Sequence, residues 1–353
     1  MRKTLFALLS ISLSLLVSIL VMEAVLRVAG YSPTYVNPLN SFHGGDKQLG
    51  WVGIPSFTGR FHKKDFDVLI SMNEKGFRKL QSKIQPSPGA RSVMFLGDSF
   101  TWGWGVSQGN VFTDYLQNEL GPGFRVINCG VNSYGTVQEK ILLQQLLPVD
   151  KPIAVGVMFC FNDFDDNVNR SKLDRPYCTL ESGKVVLHNS PVAHPIGGIF
   201  SRLMRNSYAV SFLAYYSNQL NQVIKDNIPG HAANRGLKSP APSIELKMIM
   251  EHTLSEMKAT SQSNGARLFV VYIPLAAELD SSYISVYLPA MREICAKLEI
   301  DFLNPTECMR AVYPETGPKG EPLYFTNDGH WTAEGHRIAA LVIRDYIQSL
   351  NLP

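Results

Sequence analysis

The sequence predicts an α/β fold in which a parallel β-sheet carries helices on both faces. Three observations predict it. From Arg91 onward, short apolar runs alternate with segments of helical period, the pattern of successive βα units. The runs are apolar throughout, as in "IAVGVMFCF" from Ile153 to Phe161, which suits strands covered on both faces. Residues able to do chemistry follow several of these runs, at the edge where doubly wound sheets bind ligands.

The 353 residues suffice for one large domain with appendages, or for two domains. With 45% hydrophobic and 18% charged residues, a packed core is expected and wholesale disorder is not. The net charge of +3 lacks the concentrated basic stripe of a nucleic-acid surface, so no nucleic-acid partner is expected.

The amino terminus reads as a membrane segment. Arg2 and Lys3 precede an uncharged run from Thr4 to Met22, about the 20 residues needed to cross a bilayer as a helix. Residues 1–4 form a cytoplasmic tip in this reading and residues 5–26 the anchor, with the remainder outside. The alternative is a cleaved signal peptide, but Glu23 and Arg27 stand where a cleavage site wants small residues. Residues 27–90 are polar, aromatic and turn-rich, with alternation at Phe66, Val68 and Ile70, and read as a small membrane-proximal β-rich segment. "QPSPGA" marks the boundary before a main domain over 91–353.

Within that domain "SVMFLG" is the first strand and "FRVINCGV" the second. Thr136 opens a helix with Glu139 at capping-box spacing, and Pro148 stops it. "IAVGVMFCF" is the third strand. An insertion over about 164–240 follows. It holds a hairpin, "YCTLESGKVVLHN", and one aromatic-rich helix, "FSRLMRNSYAVSFLAYYSNQLNQVI", that either walls a substrate site or packs on the core. A helix with Leu246, Ile249, Met250, Thr253, Leu254 and Met257 on one face ends at Asn264-Gly265. "RLFVVYI" is the fourth strand, "LPAMREICAKLEI" a helix and "DFLNP" the fifth strand. The last helix starts near Thr332 and buries Ala339, Val342, Ile343, Tyr346, Ile347 and Leu350.

The strand ends carry the candidate chemistry. Ser99 follows Gly97-Asp98, where glycine permits a tight bend and a helix amino end presents N–H groups. Alone, Gly-Asp-Ser is equally an ordinary capped turn. A serine hydroxyl needs a base, and His330 in "FTNDGHWTAEGH" is the candidate, with Asp328 to orient its ring. Backbone N–H groups of Ser99 and Gly130, with the Asn162 amide, would form an oxyanion hole, each donor worth roughly 3 kcal/mol.

Together the blocks "FLGDSFTWGWG", "NCGVNSYGT", "FCFND" and "DGHWTAEGH" resemble, in order, those of the SGNH hydrolase family, the GDSL-type esterases and lipases. The resemblance implies a three-layer α/β/α sandwich with a flavodoxin-like sheet of order 2-1-3-4-5. It also implies a Ser99–His330–Asp328 triad, oxyanion donors at Ser99, Gly130 and Asn162, and no cofactor. The sequence departs from the family in two places. Cys160 stands at the glycine of Gly-x-Asn-Asp, and the aspartate lies two rather than three residues before His330, where Asn327 sits. This Asp-x-His-Trp block resembles the alginate O-acetyltransferase-like branch, which often lacks the residue present here as Asp98. The expected activity is an exported serine esterase acting on a carbohydrate or other envelope ester. The alternatives are an envelope polysaccharide O-acyltransferase and a non-catalytic glycan-binding or assembly protein. Trp102, Trp104 and Trp331 suit either a sugar face or plain packing.

Five cysteines cannot all pair within one chain. In order 2-1-3-4-5, Cys129 and Cys160 lie about 10 Å apart, two strand spacings, beyond the roughly 7 Å reach of a disulfide, so both are expected free. "DFDDNVNRSKLD" places Asp163, Asp165, Asn167, Asn169 and Asp174 at calcium-loop spacing. However, Val168 replaces the required glycine and Asp174 the terminal glutamate. A solvated acidic loop without metal is expected. His330 and His336 also lack the spacing of a helical zinc pair.

Overall fold

Five parallel strands build the central sheet: Arg91–Gly97, Phe124–Gly130, Ala154–Phe159, Arg267–Tyr272 and Asp301–Leu303. They come from a computed structural model that describes residues 2–31, 33–169, 173–226, 241–312 and 322–350. Numbered along the chain, the strands lie in the order 2-1-3-4-5, every neighbouring pair parallel. The third strand is buried at all of its residues, as a central strand covered on both faces must be.

Alternate side chains feed two cores. Met94, Leu96, Val155 and Val157 point to one face, where they meet helices Thr136–Asp150, Ile244–Ser263 and Tyr287–Lys297 through Leu143, Met250, Leu254 and Met291. Val93, Phe95, Ala154 and Met158 point to the other, under helices Phe112–Leu120 and Ala333–Ser349 with Leu116, Ala339 and Ile343. The result is a three-layer α/β/α sandwich. Gly156 sits between these layers. A Cβ there would lie 2.8 Å from ring atoms of both Phe95 and Phe269, so the two rings occupy the space of the missing side chain.

Local chemistry corrects several expectations. Helix Thr136–Asp150 is capped by Gly135, and the reciprocating side chain is Gln138 rather than Glu139: Gly135 N donates to Gln138 Oε1 at 3.4 Å. The helix runs through Pro148 and ends on a Lys151 N–H bond to the Leu147 carbonyl (3.1 Å), which needs nothing from the proline nitrogen. The acidic run after the third strand is not a solvated loop. Asp163–Asp166 is a short helix in which Asp163 is buried and accepts from Cys160 N (3.0 Å), while buried Asn167 accepts from Val137 N (2.8 Å).

In the insertion, strands Tyr177–Glu181 and Lys184–His188 pair around Ser182 (φ 50°) and Gly183 (φ 77°), both left-handed as a two-residue hairpin turn requires. The aromatic-rich segment is two helices, Ile199–Asn206 and Tyr208–Asp226. Ser207 breaks it: its N–H closes the first helix on the Leu203 carbonyl (2.8 Å), and its hydroxyl accepts from Val210 N (3.2 Å) at the start of the second. Residues 227–240 of the expected insertion lie outside the described residues.

The segment before the sheet is β-rich. Thr34–Tyr35, Thr58–Lys63 and Phe66–Ser71 form one small sheet, and His43–Asp46 pairs with Gly50–Gly53. Phe66, Val68 and Ile70 are buried in alternation. The segment packs directly on the sandwich, with Phe42 and Phe61 edge-on to Trp102 at 5.6 and 6.2 Å. Ahead of it, helix Arg2–Val28 has no buried residue, and an 18-residue stretch of it has a mean hydropathy of 2.6. It is a single apolar helix, consistent with either a membrane anchor or a signal sequence.

Filling the space between Phe95 and Phe269 overpacks the core. We expect Gly156→Ala to lower the unfolding free energy, measured by urea denaturation, by about 1–3 kcal/mol.

Candidate active site

Two glycines let the nucleophile turn lie flat on the sheet edge. Gly97 ends the first strand at φ 154°, and a Cβ there would sit 2.1 Å from Thr101 Oγ1. Gly130 lies opposite Gly97 in register, and its Cβ would come 2.4 Å from Trp102 N. Asp98 then caps the short helix Ser99–Trp102 by accepting from Phe100 N (2.9 Å). Asn128 fastens that helix to the second strand, donating to the Thr101 carbonyl (2.6 Å). Ser99 is thereby delivered to the carboxyl edge of the sheet.

There Ser99 Oγ lies 2.7 Å from His330 Nε2, and His330 Nδ1 is hydrogen-bonded to Asp328 Oδ1. A proton on Nδ1 facing the carboxylate leaves Nε2 free to accept from the serine hydroxyl. The ring is clamped by Trp104, stacked at 4.9 Å and 17°, and by Phe100 at 4.7 Å. Burial would raise the Asp328 carboxyl, but the His330 hydrogen bond and the charges of His330 and Lys63 outweigh it and hold it below the usual carboxylate range. Asn327, at the family's usual acid position, turns away, and its N–H and side-chain amide bond to Asp65.

Lys63 and Asp65 come from the β-rich segment before the sheet. Lys63 Nζ is 3.4 Å from Asp328 Oδ2 and 4.6 Å from the centre of the Trp104 ring that stacks on His330. Nothing in the sequence marks this lysine, because a lone charge in a polar segment has no distinguishing pattern.

Around Ser99 opens a cavity of about 670 Å³. Ser99, Ser133, Asn162 and His330 form its polar side, and Ile273, Pro274, Leu275 and Tyr287 part of an apolar wall. Gly130 is not among its lining residues. Its N–H donates to Asn128 Oδ1 (2.9 Å), so the expected unshielded donor is engaged within the strand. The glycine serves the close approach of Trp102 instead. Ser133, three residues past Gly130, lines the cavity in left-handed backbone (φ 62°). Among the described residues, the N–H groups of Ser99 and Ser133 have no acceptor. Asn162, which also lines the cavity, donates from Nδ2 to Asp166 Oδ2 (2.9 Å).

Buried Arg175 ties the two sides together, donating to the Ser133 carbonyl (3.0 Å) and Asp166 Oδ1 (2.8 Å) while its guanidinium lies 4.7 Å from the Trp51 ring centre. Trp51 Nε1 in turn donates to the Asn132 carbonyl (2.9 Å). Trp102 and Trp331 are fully buried and serve packing, which leaves only Trp104 of the three near the reacting atoms.

Behind the serine lie buried carboxyls. Burial pushes Asp98 up to about 6, partly opposed by the Phe100 N–H and His330. Burial and mutual repulsion raise Glu139 and Asp163 well above their usual range. All five cysteines are free, Cys129 and Cys160 among them.

The GDSL-like Lipase/Acylhydrolase family matches residues 95–338. The chain belongs to this family. No curated protein matches it. Among solved structures it is similar to TesA, at 14% identity over 74% of this chain and 99% of that one, with a TM-score of 0.43. It is also similar to the acetyl xylan esterase AlAXEase, at 11% identity over 72% and 99%, with a TM-score of 0.42. Est24, a carbohydrate acetylesterase from Sinorhizobium meliloti, matches at 13% identity over 74% and 99%, with a TM-score of 0.37. Family membership makes the chain a hydrolase of the GDSL/SGNH esterase class.

Two outcomes follow for this GDSL-type site. We expect Lys63→Met to lower kcat on an activated acetyl ester about tenfold, ~1.4 kcal/mol. Its unfolding midpoint should barely move, since a half-exposed ion pair contributes about 1 kcal/mol or less. Asp98, raised in the folded state, contributes stability that is fully present below its unfolded pKa near ~4 and is lost as pH rises through about 6. We therefore expect Asp98→Asn to gain stability relative to wild type between pH 4 and pH 7, read by denaturant titration at both ends. A pH-independent difference would show that Asp98 does not titrate there.

Proposed function

We propose that this chain is a membrane-anchored, extracytoplasmic serine esterase of the cell envelope, acting on a carbohydrate or other envelope ester. The hydrogen-bond chain from Ser99 Oγ (2.7 Å to His330 Nε2) through His330 Nδ1 to Asp328 Oδ1 carries this reading. Residues 5–26 are its anchor, 27–90 a membrane-proximal β-rich segment and 91–353 the catalytic domain.

Ser99 Oγ attacks the acyl carbon as its proton passes to His330 Nε2, and Asp328 stabilises the imidazolium. The oxyanion is received by Ser99 N–H and the Asn162 amide, with Ser133 N–H in the role first expected of Gly130. Collapse expels the alcohol, which takes the proton from His330. Water then attacks the acyl-enzyme, gives a proton to His330 and releases the acid, and the proton returns to Ser99. The apolar wall accepts the acyl group while the open polar side takes the alcohol.

A second reading, an O-acyltransferase, is favoured by one sequence feature, the Asp328-Gly329-His330-Trp331 block. In it a sugar hydroxyl replaces water in the second half-reaction. A non-catalytic glycan-binding role leaves the short Ser99–His330 contact without a purpose.

Labelling with a fluorophosphonate probe tests the enzyme reading. We expect wild type to label and Ser99→Ala not to, with turnover of an activated acetyl ester falling about 10³-fold or more. A wild type that neither labels nor turns over would overturn it. Partition of the acyl group between water and an added oligosaccharide then separates the two enzymes: free acid supports the esterase, acylated sugar the transferase.

A further inference from the structure

The apolar helix Arg2–Val28 does not end free of the body. Glu23 and Arg27, one turn apart near its end, pair at 2.6 Å. Glu23 Oε2 accepts from Ser207 Oγ (2.8 Å) and Ala209 N (2.9 Å), so its carboxylate caps the amino end of helix Tyr208–Asp226. Arg27 Nη2 donates to the Asn206 carbonyl (3.2 Å) at the carboxyl end of helix Ile199–Asn206, and its guanidinium lies 4.3 Å from the Tyr208 ring centre. Tyr31 follows, edge-on to Phe212 at 5.5 Å.

Both of these helices turn an apolar stripe outward. On the first, Ile199 is 78% and Leu203 46% exposed, four residues apart. On the second, Leu213, Tyr216 and Leu220 are 48%, 52% and 62% exposed at spacings that share one face. The same helix is held to the body by buried Ala209 and Ser211 and by Tyr215, which packs on His62 at 5.6 Å. An amphipathic helix ordinarily buries its apolar stripe, and among the described residues nothing covers these stripes.

Depth identifies that partner. The run Thr4–Met22 spans about 28 Å at 1.5 Å per residue, close to the roughly 30 Å of a hydrocarbon core. Glu23 and Arg27 therefore stand at the level of the lipid headgroups. Residues 206–209, bonded directly to them, share that level, and so does the junction of the two helices. Apolar stripes at this depth match the burial of interfacial helices, about 5–10 Å into the headgroup and acyl boundary. Exposed Arg202 on the first helix adds positive charge suited to anionic lipid.

We propose that helices Ile199–Asn206 and Tyr208–Asp226 form a membrane-surface foot, with Ile199, Leu203, Leu213, Tyr216 and Leu220 buried in the bilayer boundary. The proposal rests on the anchor reading of the N-terminal helix. The foot, clamped to that helix through Glu23 and Arg27, fixes the orientation of the hydrolase on the membrane.

The full chain, reconstituted in vesicles of phosphatidylcholine and phosphatidylglycerol, tests this. In a Cys308→Ser background, which removes the exposed thiol, an environment-sensitive fluorophore is attached to Leu213→Cys, Leu220→Cys or, as control, exposed Ser263→Cys. We expect blue-shifted emission and strong quenching by headgroup-proximal spin-labelled lipid at 213 and 220, and neither at 263. Labels at 213 and 220 as solvated as that at 263, in a chain that resists alkaline carbonate extraction, would overturn the foot and leave the anchor standing. A blue shift without quenching by the labelled lipid means that a second protein copy covers the stripe, and also overturns it. Release of the chain by carbonate overturns the anchor reading and the foot with it.

Discussion

The geometry of the site depends on how closely the helix Ser99–Trp102 approaches the sheet. Two side chains would forbid that approach, and both positions are glycine: a Cβ at 97 meets Thr101 Oγ1 at 2.1 Å, and one at 130 meets Trp102 N at 2.4 Å. With the way clear, Asn128 ties the Thr101 carbonyl to the second strand (2.6 Å), and the first helical residue falls at the sheet's carboxyl edge. Every other part of the site converges on a hydroxyl whose position is set by these contacts. The buried carboxyls behind it follow from the same packing, because a helix this tight against the sheet excludes the water that would keep Asp98 at its ordinary pKa.

A second layer orients the groups around that hydroxyl, and much of it comes from outside the alternating βα units. Lys63 and Trp104 hold Asp328 and His330 from one side. Arg175, from the insertion, and Trp51, from strand Gly50–Gly53, hold the loop carrying Ser133 from the other. Such groups keep reacting atoms within the small tolerances that catalysis needs. They also explain a buried arginine, since its Nε and Nη1 donors are taken by Asp174, the Ser133 carbonyl and Asp166.

The sheet was readable in the sequence because its strands are continuous apolar runs, and a parallel order follows once helices separate them. Ser99, Asn162, Asp328 and His330 were readable because chemistry collects at strand ends. What the sequence hid was register and direction. Gly130 was expected as an oxyanion donor, yet whether it frees an N–H or admits a neighbouring backbone depends on a helix four residues long packed against it. Gln138 and Glu139 differ by one residue in the chain but by 100° around a helix, which decides which reaches back to the cap. Ser207 looked like an ordinary helix residue until its hydroxyl was seen capping the next helix. Lys63 and Arg175 act across 265 and 42 residues of chain, at Asp328 and Ser133 respectively, distances over which local pattern carries no information.

The contacts of Lys63, Asp65 and Trp51 give the Pro-rich boundary at residues 86–88 an unexpected status. It divides the chain by composition, yet a contact that supports the cavity's lining residue Asp328 crosses it. The family's blocks can be copied from one protein to another as a linear text; the enclosure that holds them cannot. A core lifted out after residue 90 would keep Ser99, His330 and Asp328 and lose the lysine that pairs with the last of them. The span of chain that holds this constellation together is therefore longer than the family match over residues 95–338.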